Sequence, residues 1–356
     1  MVLALTSLDR PEVTYTPNVL KRRCRKTPSV EFHVYNTRFK VSCRAYRGGR
    51  RRGRIGEGAK GRRMESPETE MHGGGTGEKV CLITGATSGI GKATAMGLAS
   101  MGASVVMVGR DRDRGEAALT EIKVKSGNAS VDLMLADLSS QEEIHRLADN
   151  FKEAYPRLDV LVNNAGLFRS ERITTQDGLE TTFAVNHLAP FLLTNLLLDV
   201  LKASAPSRIV NVSSGDHKSG AIDFDDLQGE MGYKGAKAYS QSKLANVLFT
   251  HELARRLEGT GVSANCLHPG AGIRTNFGSG VSGALGFMVR ALRPLMKSPE
   301  KGAETSIYLA SSPEVEGLSG RYFVKKAEAS SSAVSHDDGL DRRLWEVSAD
   351  LTNLPA

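Results

Sequence analysis

From residue 79 onward the chain alternates short apolar runs with longer stretches of helical period. Val80-Cys81-Leu82-Ile83 is apolar without a break, the pattern of a strand covered on both faces. Runs at 104–109, 131–136, 158–163, 207–213, 262–267 and 320–324 read the same way. Between them, at 89–101, 112–125, 140–155, 176–203, 238–259 and 298–311, apolar residues recur every three to four positions, as on one face of a helix. Strands joined by crossovers of this length predict an α/β fold: a Rossmann-type, doubly wound parallel sheet of seven strands in a single domain, residues 78–356. Residues 277–297 break the alternation with Gly and apolar residues and read as a substrate-lid insert.

Residues 1–63 carry no sustained period and hold 17 Lys/Arg against 4 Asp/Glu, whereas residues 64–356 hold 30 against 36. The formal charge of +7 therefore describes the leader, not the domain. With the Gly-rich run 73–77, residues 1–77 are expected to be a disordered basic extension and linker. Three readings of the leader compete. It is a targeting peptide, though poor in Ser; an arm for nucleic acid or a membrane surface; or upstream sequence outside the native protein, with translation starting at Met64 or Met71. The last is preferred. The basic run 21–63 has little aromatic interleaving, so no nucleic-acid partner is expected.

No stretch approaches the ~20 apolar residues of a membrane span, and Phe191-Leu192-Leu193-Thr194-Asn195-Leu196-Leu197-Leu198 reads as a core helix. A secretory signal is missing as well. Four cysteines are too few for a disulfide framework. Cys24 and Cys43 lie in the leader; Cys81 and Cys266 sit in apolar strands, where a thiol acts as a small buried hydrophobe. No Cys/His spacing suggests a metal. These features predict a cytoplasmic protein in a reducing compartment.

The first strand runs into Thr84-Gly85-Ala86-Thr87-Ser88-Gly89-Ile90-Gly91 and then a helix. Gly85 allows a tight turn, Gly89 a close approach of pyrophosphate to the backbone, and Gly91 close helix–sheet packing. The helix N-terminus offers N–H groups and partial positive charge to the anion. The second strand ends in Gly109-Arg110-Asp111. Gly109 leaves space and the Arg110 guanidinium suits a ribose 2′-phosphate, so NADP(H) is favoured over NAD(H), with Asp111 weighing against.

Tyr239 and Lys243 lie four apart on one helical face. They follow a strand, Arg208-Ile209-Val210-Asn211-Val212, that ends in Ser213-Ser214 at the sheet edge where ligands of open α/β sheets bind. Reduction of a carbonyl by hydride makes an alkoxide that needs a proton. A free tyrosine, pKa about 10, exchanges protons poorly near neutral pH, and a nearby ammonium is expected to lower that value.

The Gly-x-x-x-Gly-x-Gly spacing, with Tyr-x-x-x-Lys and the serine strand, resembles the short-chain dehydrogenase/reductase family. The resemblance implies that Tyr239 is general acid or base, that Lys243 lowers its pKa and binds the nicotinamide ribose, and that Ser214 orients the substrate oxygen, with Ser213 its rival. It makes Asn186, in Phe183-Ala184-Val185-Asn186-His187-Leu188, a fourth catalytic residue that holds a relay water, the alternative being a helix-kink or core amide. Cofactor contacts are implied for Thr87, Ser88, Ile90, Asp137, Leu138, Asn164, Ala165, Gly166, Pro269 and Gly270, besides the glycines. Asp137 has a second reading as N-cap of 140–155, and the Asn164 amide one as a tie between strand ends.

After His268-Pro269-Gly270, Thr275 falls one residue beyond the family pattern, with Gly272 extra, which unsettles the roles of Ile273 and Thr275. His268 reads as structural. Phe224-Asp225-Asp226-Leu227-Gln228, Gln241-Ser242-Lys243-Leu244-Ala245-Asn246, Leu318-Ser319-Gly320-Arg321-Tyr322-Phe323 and Arg343-Leu344-Trp345-Glu346 resemble the retinol dehydrogenase 11–14-like branch. That implies an apolar carbonyl or alcohol substrate such as retinal. The alternatives are a non-enzymatic dinucleotide-binding regulator, or an NAD-dependent dehydrogenase of another small alcohol or steroid. The apolar run 283–292 closes over substrate, packs as a loop, or touches a membrane with Arg290 and Arg293 at the headgroups.

Overall fold

In the computed structural model the described residues are 29–34, 37–42, 79–273 and 297–354. The chain divides into two compact units, Met1–Glu70 and Met71–Ala356. In the first, β1 (Ser29–Val34) pairs antiparallel with β2 (Thr37–Ser42), Val30 opposite Val41 and Phe32 opposite Phe39. This pair is not among the elements that the apolar pattern gives. Period-two alternation is present, but over only six residues a side and inside a strongly basic composition. The lid insert at 277–297 lies outside the described residues except for Lys297.

The second unit holds an eight-stranded sheet in the order β10-β9-β8-β7-β6-β3-β4-β5. Its strands are β3 (Val80–Thr84), β4 (Ser104–Gly109), β5 (Val131–Leu135), β6 (Val160–Asn163), β7 (Ser207–Val212), β8 (Val262–His268), β9 (Tyr322–Val324) and β10 (Ala327–Glu328). All pair in parallel except β10, an antiparallel edge turned by Lys325 and Lys326, both at positive φ. Two residues are too few to show a period, so this eighth strand escapes the sequence pattern.

Alternate residues of the strands feed opposite cores. Val80, Leu82, Val106 and Val108 pack with Ile144, Leu147, Phe191, Phe249 and Trp345. Cys81, Ile83, Val105 and Met107 pack with Ala95, Leu98, Ala118, Ile122 and Leu309. Burial on both faces is why these strands read as unbroken apolar runs. It also pushes the thiols of Cys81 and Cys266 up to about 12, so both stay protonated packing groups.

Around the sheet run α1 (Gly89–Ser100), α2 (Arg112–Ser126), α3 (Gln141–Ala154), α4 (Thr181–Phe183), α5 (Ala189–Leu196), α6 (Leu198–Ala203), α7 (Gly235–Arg256), α8 (Pro299–Ser311) and α9 (Asp338–Leu351). The helical pattern at 176–203 is not one helix. Glu180 caps α4 by accepting from the N–H groups of Thr182 and Phe183, both at 2.7 Å. A π turn, Ala184–Leu188, separates α4 from α5, with Ala189 N–H bonded to Ala184 O. α9 is a helix beyond those the pattern gave, capped by Asp337. Among the described residues no helix is long and apolar enough to cross a membrane.

Strand order reverses between β3 and β6: the chain winds outward to β5, then returns to the other side of β3. The carboxyl ends of β3 and β6 bound the crevice where open α/β sheets hold ligands.

Candidate active site

At the end of β3 the chain turns at Gly85, φ +65°. A Cβ on Gly91 would lie 2.3 Å from both Gly85 O and Asn164 Nδ2, so only glycine permits this approach of α1 to the turn. Thr84 Oγ1 accepts from the backbone N–H groups of Asn164 and Ala165, each at 3.0 Å, and Asn164 Nδ2 donates to Thr84 O at 2.8 Å. These bonds lock the ends of β3 and β6 together. Ser88, the N-cap of α1, makes no side-chain capping bond, and the first turn has no acidic residue. The N–H groups there are thus left for an outside anion. An uncapped helix end packed this close against the glycine turn fits a dinucleotide pyrophosphate.

Beyond β4, a Cβ on Gly109 would fall 2.3 Å from Thr87 Cγ2, so this glycine makes room for the turn itself. Arg110 stands at the rim with Nη1 3.8 Å from Asp137 Oδ2, the two side chains 61% and 39% exposed. A pair this wet and this long is weak, which leaves the guanidinium free to turn to another anion. Asp111 is occupied: it caps α2 by accepting from Arg114 N–H at 2.9 Å and pairs with Arg114 Nη2 at 3.3 Å. The cap of α3 is Ser140, not Asp137, which instead accepts from Ser139 N–H at 2.9 Å. Leu138 packs half-buried against the core.

The two serines after β7 part company. Ser213 Oγ is buried and donates to Lys243 O at 2.7 Å, tying the strand to α7. Ser214 Oγ is hydrogen-bonded to Tyr239 and donates to Asp216 Oδ2 at 2.8 Å. Ser214 therefore faces the phenol, while its rival braces the helix. Lys243 Nζ lies 5.8 Å from the Tyr239 ring centre and donates to Val212 O at 3.0 Å. Phe168 meets the same ring edge-on at 6.1 Å. α7 starts hard against this loop, since a Cβ on Gly235 would sit 2.2 Å from Arg169 O.

Burial dominates the electrostatics of the group. Burial pushes the Tyr239 phenol up to about 12; the Ser214 hydrogen bond opposes the rise and the Asp216 charge adds to it. The same burial acts on Lys243. Desolvation brings its ammonium down to about 8, against the pull of Asp216. Sequence supplies the partner but not the dielectric, and here burial outweighs pairing.

Asn186 sits in the π turn and is fully buried. Its Oδ1 accepts from Leu167 N–H at 2.8 Å, and its Nδ2 donates to Leu167 O at 2.9 Å and to Ser242 Oγ at 3.0 Å. It thereby fixes the loop after Gly166, where Asn186 Oδ1 and Lys243 Nζ both come within 3.4 Å of the place a Cβ would take. Past β8, Pro269 and Gly270 (φ +108°) form the turn beside the site. His268 Nδ1 accepts from Gly215 N–H at 3.0 Å, a structural contact. Ile273 bridges to Lys297 and packs near Gly302, while Thr275 lies outside the described residues. Among the described residues no group of three His, Cys, Asp or Glu could hold a metal ion.

Asp216 and Phe168 are site residues that the motifs do not point to, since both sit in loops of no fixed pattern. A cavity of about 820 Å³ opens elsewhere, lined by Arg208, His251, Arg255, Arg321 and Asp341. It lies at the amino ends of β7 and β8, away from this group.

A profile described as short chain dehydrogenase matches residues 79–282. Retinol dehydrogenase 14 of Homo sapiens is 47% identical over 302 residues, covering 80% of this chain and 88% of that protein. Retinol dehydrogenase 13 of Homo sapiens is 46% identical over 285 residues, covering 78% and 86%. Among solved structures, an uncharacterized protein from Mycobacterium paratuberculosis superposes with a TM-score of 0.64 at 33% identity, covering 79% of this chain and 97% of that one. The Pseudomonas aeruginosa RhlG/NADP active-site complex gives 0.57 at 27% identity, covering 70% and 96%. A match over this span, with relatives this alike along most of their own length, makes the chain a member of the short chain dehydrogenase family, oxidoreductases that move hydride with a nicotinamide dinucleotide.

Proposed function

We propose that this protein is an NADP(H)-dependent carbonyl reductase and alcohol dehydrogenase acting on apolar aldehydes or alcohols, of which retinal is the first to try. The observation that carries the reading is the convergence of Ser214, Tyr239 and Lys243 beside the glycine turn. When bound, the nicotinamide supplies or takes up the hydride. Tyr239 gives its hydroxyl proton to the substrate oxygen in reduction and takes it back in oxidation. Held near 12, the phenol stays protonated through the neutral range, the form that reduction consumes. Ser214 orients that oxygen, Lys243 binds the ribose and replenishes the proton, and Asn186 holds the loop that carries Gly166 against the lysine.

Preference for the 2′-phosphate rests on Arg110, exposed at the strand end with only a weak partner. An apolar aldehyde is supported by the relatives, which are retinol dehydrogenases by name. The test is a panel of aldehydes, ketones and alcohols assayed with both cofactors, for the native chain and Tyr239→Phe. The variant should lose turnover by at least about a hundredfold while its NADPH affinity holds. Substantial residual turnover means that the acid is misassigned, and no turnover of any probe by the native chain sinks the enzyme.

A further inference from the structure

Ser214 has one hydroxyl proton, and Asp216 holds it. The Oγ donates to Asp216 Oδ2 at 2.8 Å and accepts from Asp216 N–H at 3.3 Å. A hydroxyl whose proton is held by a carboxylate offers its other neighbours only lone pairs. Ser214 in this state has nothing to donate to a carbonyl oxygen. Asp216 itself is exposed at the rim, and its charge reaches Tyr239, Lys243 and His268.

We propose that Asp216 is a positioning residue of this site: its carboxylate captures the Ser214 proton and sets a negative charge one hydroxyl away from Tyr239, so carbonyl binding waits on release of the serine and alcohol oxidation is held back. The inference rests on the reading of Ser214, Tyr239 and Lys243 as the catalytic group.

Other charges around the phenol decide how this must be measured. Tyr239 is faced by Ser214 and Asp216 from the turn after β7, by Lys243 from its own helix and by Phe168 from the loop after β6. Two histidines nearby accept from backbone donors and so stay neutral: His268 from Gly215 N–H at 3.0 Å, His217 from Ser332 N–H at 3.1 Å. Burial lowers both, and His217, Lys297 and Lys218 lower His268 further. Neither exchanges a proton in the alkaline range. Lys243, near 8, does titrate there, so a rate profile alone would mix two groups.

Phenolate absorbance of the full chain saturated with NADP+, read as a difference against Tyr239→Phe, isolates the one phenol. Asp216→Asn keeps an acceptor for Ser214 and removes the charge. Its titration midpoint is expected to fall by about half to one pH unit, the effect of one charge a few ångströms off in a partly solvated site. Concentrated salt should move the wild-type midpoint the same way, and Asp113→Asn, on the far surface of α2, should not move it. Asp216→Ala also frees the serine proton, so its KM for all-trans-retinal with NADPH, or for octanal if retinal is not turned over, should fall several-fold below that of Asp216→Asn. An unchanged midpoint in Asp216→Asn, with Tyr239→Phe inactive, overturns the role of Asp216 and leaves the catalytic reading standing. Turnover by Tyr239→Phe would instead sink the catalytic reading, whatever the midpoints do.

Discussion

Two glycines of one helix separate cofactor geometry from helix propensity. In Gly91→Ala the new Cβ starts 2.3 Å from Gly85 O and Asn164 Nδ2. An ordinary contact needs about 3.5 Å, so the start of α1 must retreat by roughly 1 Å. Overpacking of this kind costs about 1–3 kcal/mol. Losing the Asn164 bond to Thr84 O, 2.8 Å in the native chain, adds about 1 kcal/mol. The sum, roughly 2–4 kcal/mol, corresponds to a fall in Tm of about 5–15 °C for a domain of this size. Moving the helix N–H groups away from the pyrophosphate should weaken NADPH binding by about 10–100-fold, one charge-assisted bond's worth. Gly97→Ala is the control. Its Cβ meets the end of a flexible side chain, Ile307 Cδ1 at 2.4 Å. A rotamer change there offsets the helix-propensity gain to within about 1 kcal/mol, and NADPH binding should hold. The assays are thermal melts and NADPH fluorescence titration of both variants. Equal behaviour of the two would refute the close-approach account of the turn.

Arg110→Ala should raise the KM for NADPH far more than that for NADH; equal changes would remove the 2′-phosphate assignment. Ser214→Ala should lower kcat by about a hundredfold or more, whereas Ser213→Ala should cost about 1 kcal/mol of stability and leave kcat within a few-fold. The reverse pattern would exchange the two serines. His187 is wholly buried against Ser348 Oγ at 2.8 Å, and burial brings it from 6.5 to about 3. With the folded value depressed, the unfolded chain binds the proton first, so stability is full above about 6.5 and is lost as pH falls toward 3. At pH 5 the loss from this site is ~2 kcal/mol. Urea midpoints at pH 7 and pH 5 should therefore differ less in His187→Gln than in the native chain; equal differences would refute it.

Much of the fold is legible because a sheet covered on both sides has no polar face to disguise its strands, and Val80-Cys81-Leu82-Ile83 could hardly be anything else. The turn is legible for a related reason: close approach excludes every residue but glycine at Gly91. What stays hidden depends on distance in space. Asp216 is an ordinary exposed acid until the turn after β7 lays it against a serine that meets a tyrosine 25 residues further on. The direction of the Tyr239 shift is hidden likewise, since a sequence displays the lysine but not the loss of water. At β10 and in the β1–β2 pair, too few residues alternate for a period to stand out from chance.

The π turn at Ala184–Leu188 works as a phase slip in a screw. One additional residue per turn advances the thread by about 100° relative to an unbroken α-helix. Within it, Asn186 reaches the loop of Leu167; downstream, Phe191 and Leu192 return to the sheet. A straight helix could satisfy one of these demands but not both. Removing a single residue from the slip would therefore turn either the amide or the two core side chains to the wrong side, with no side chain in the site itself exchanged.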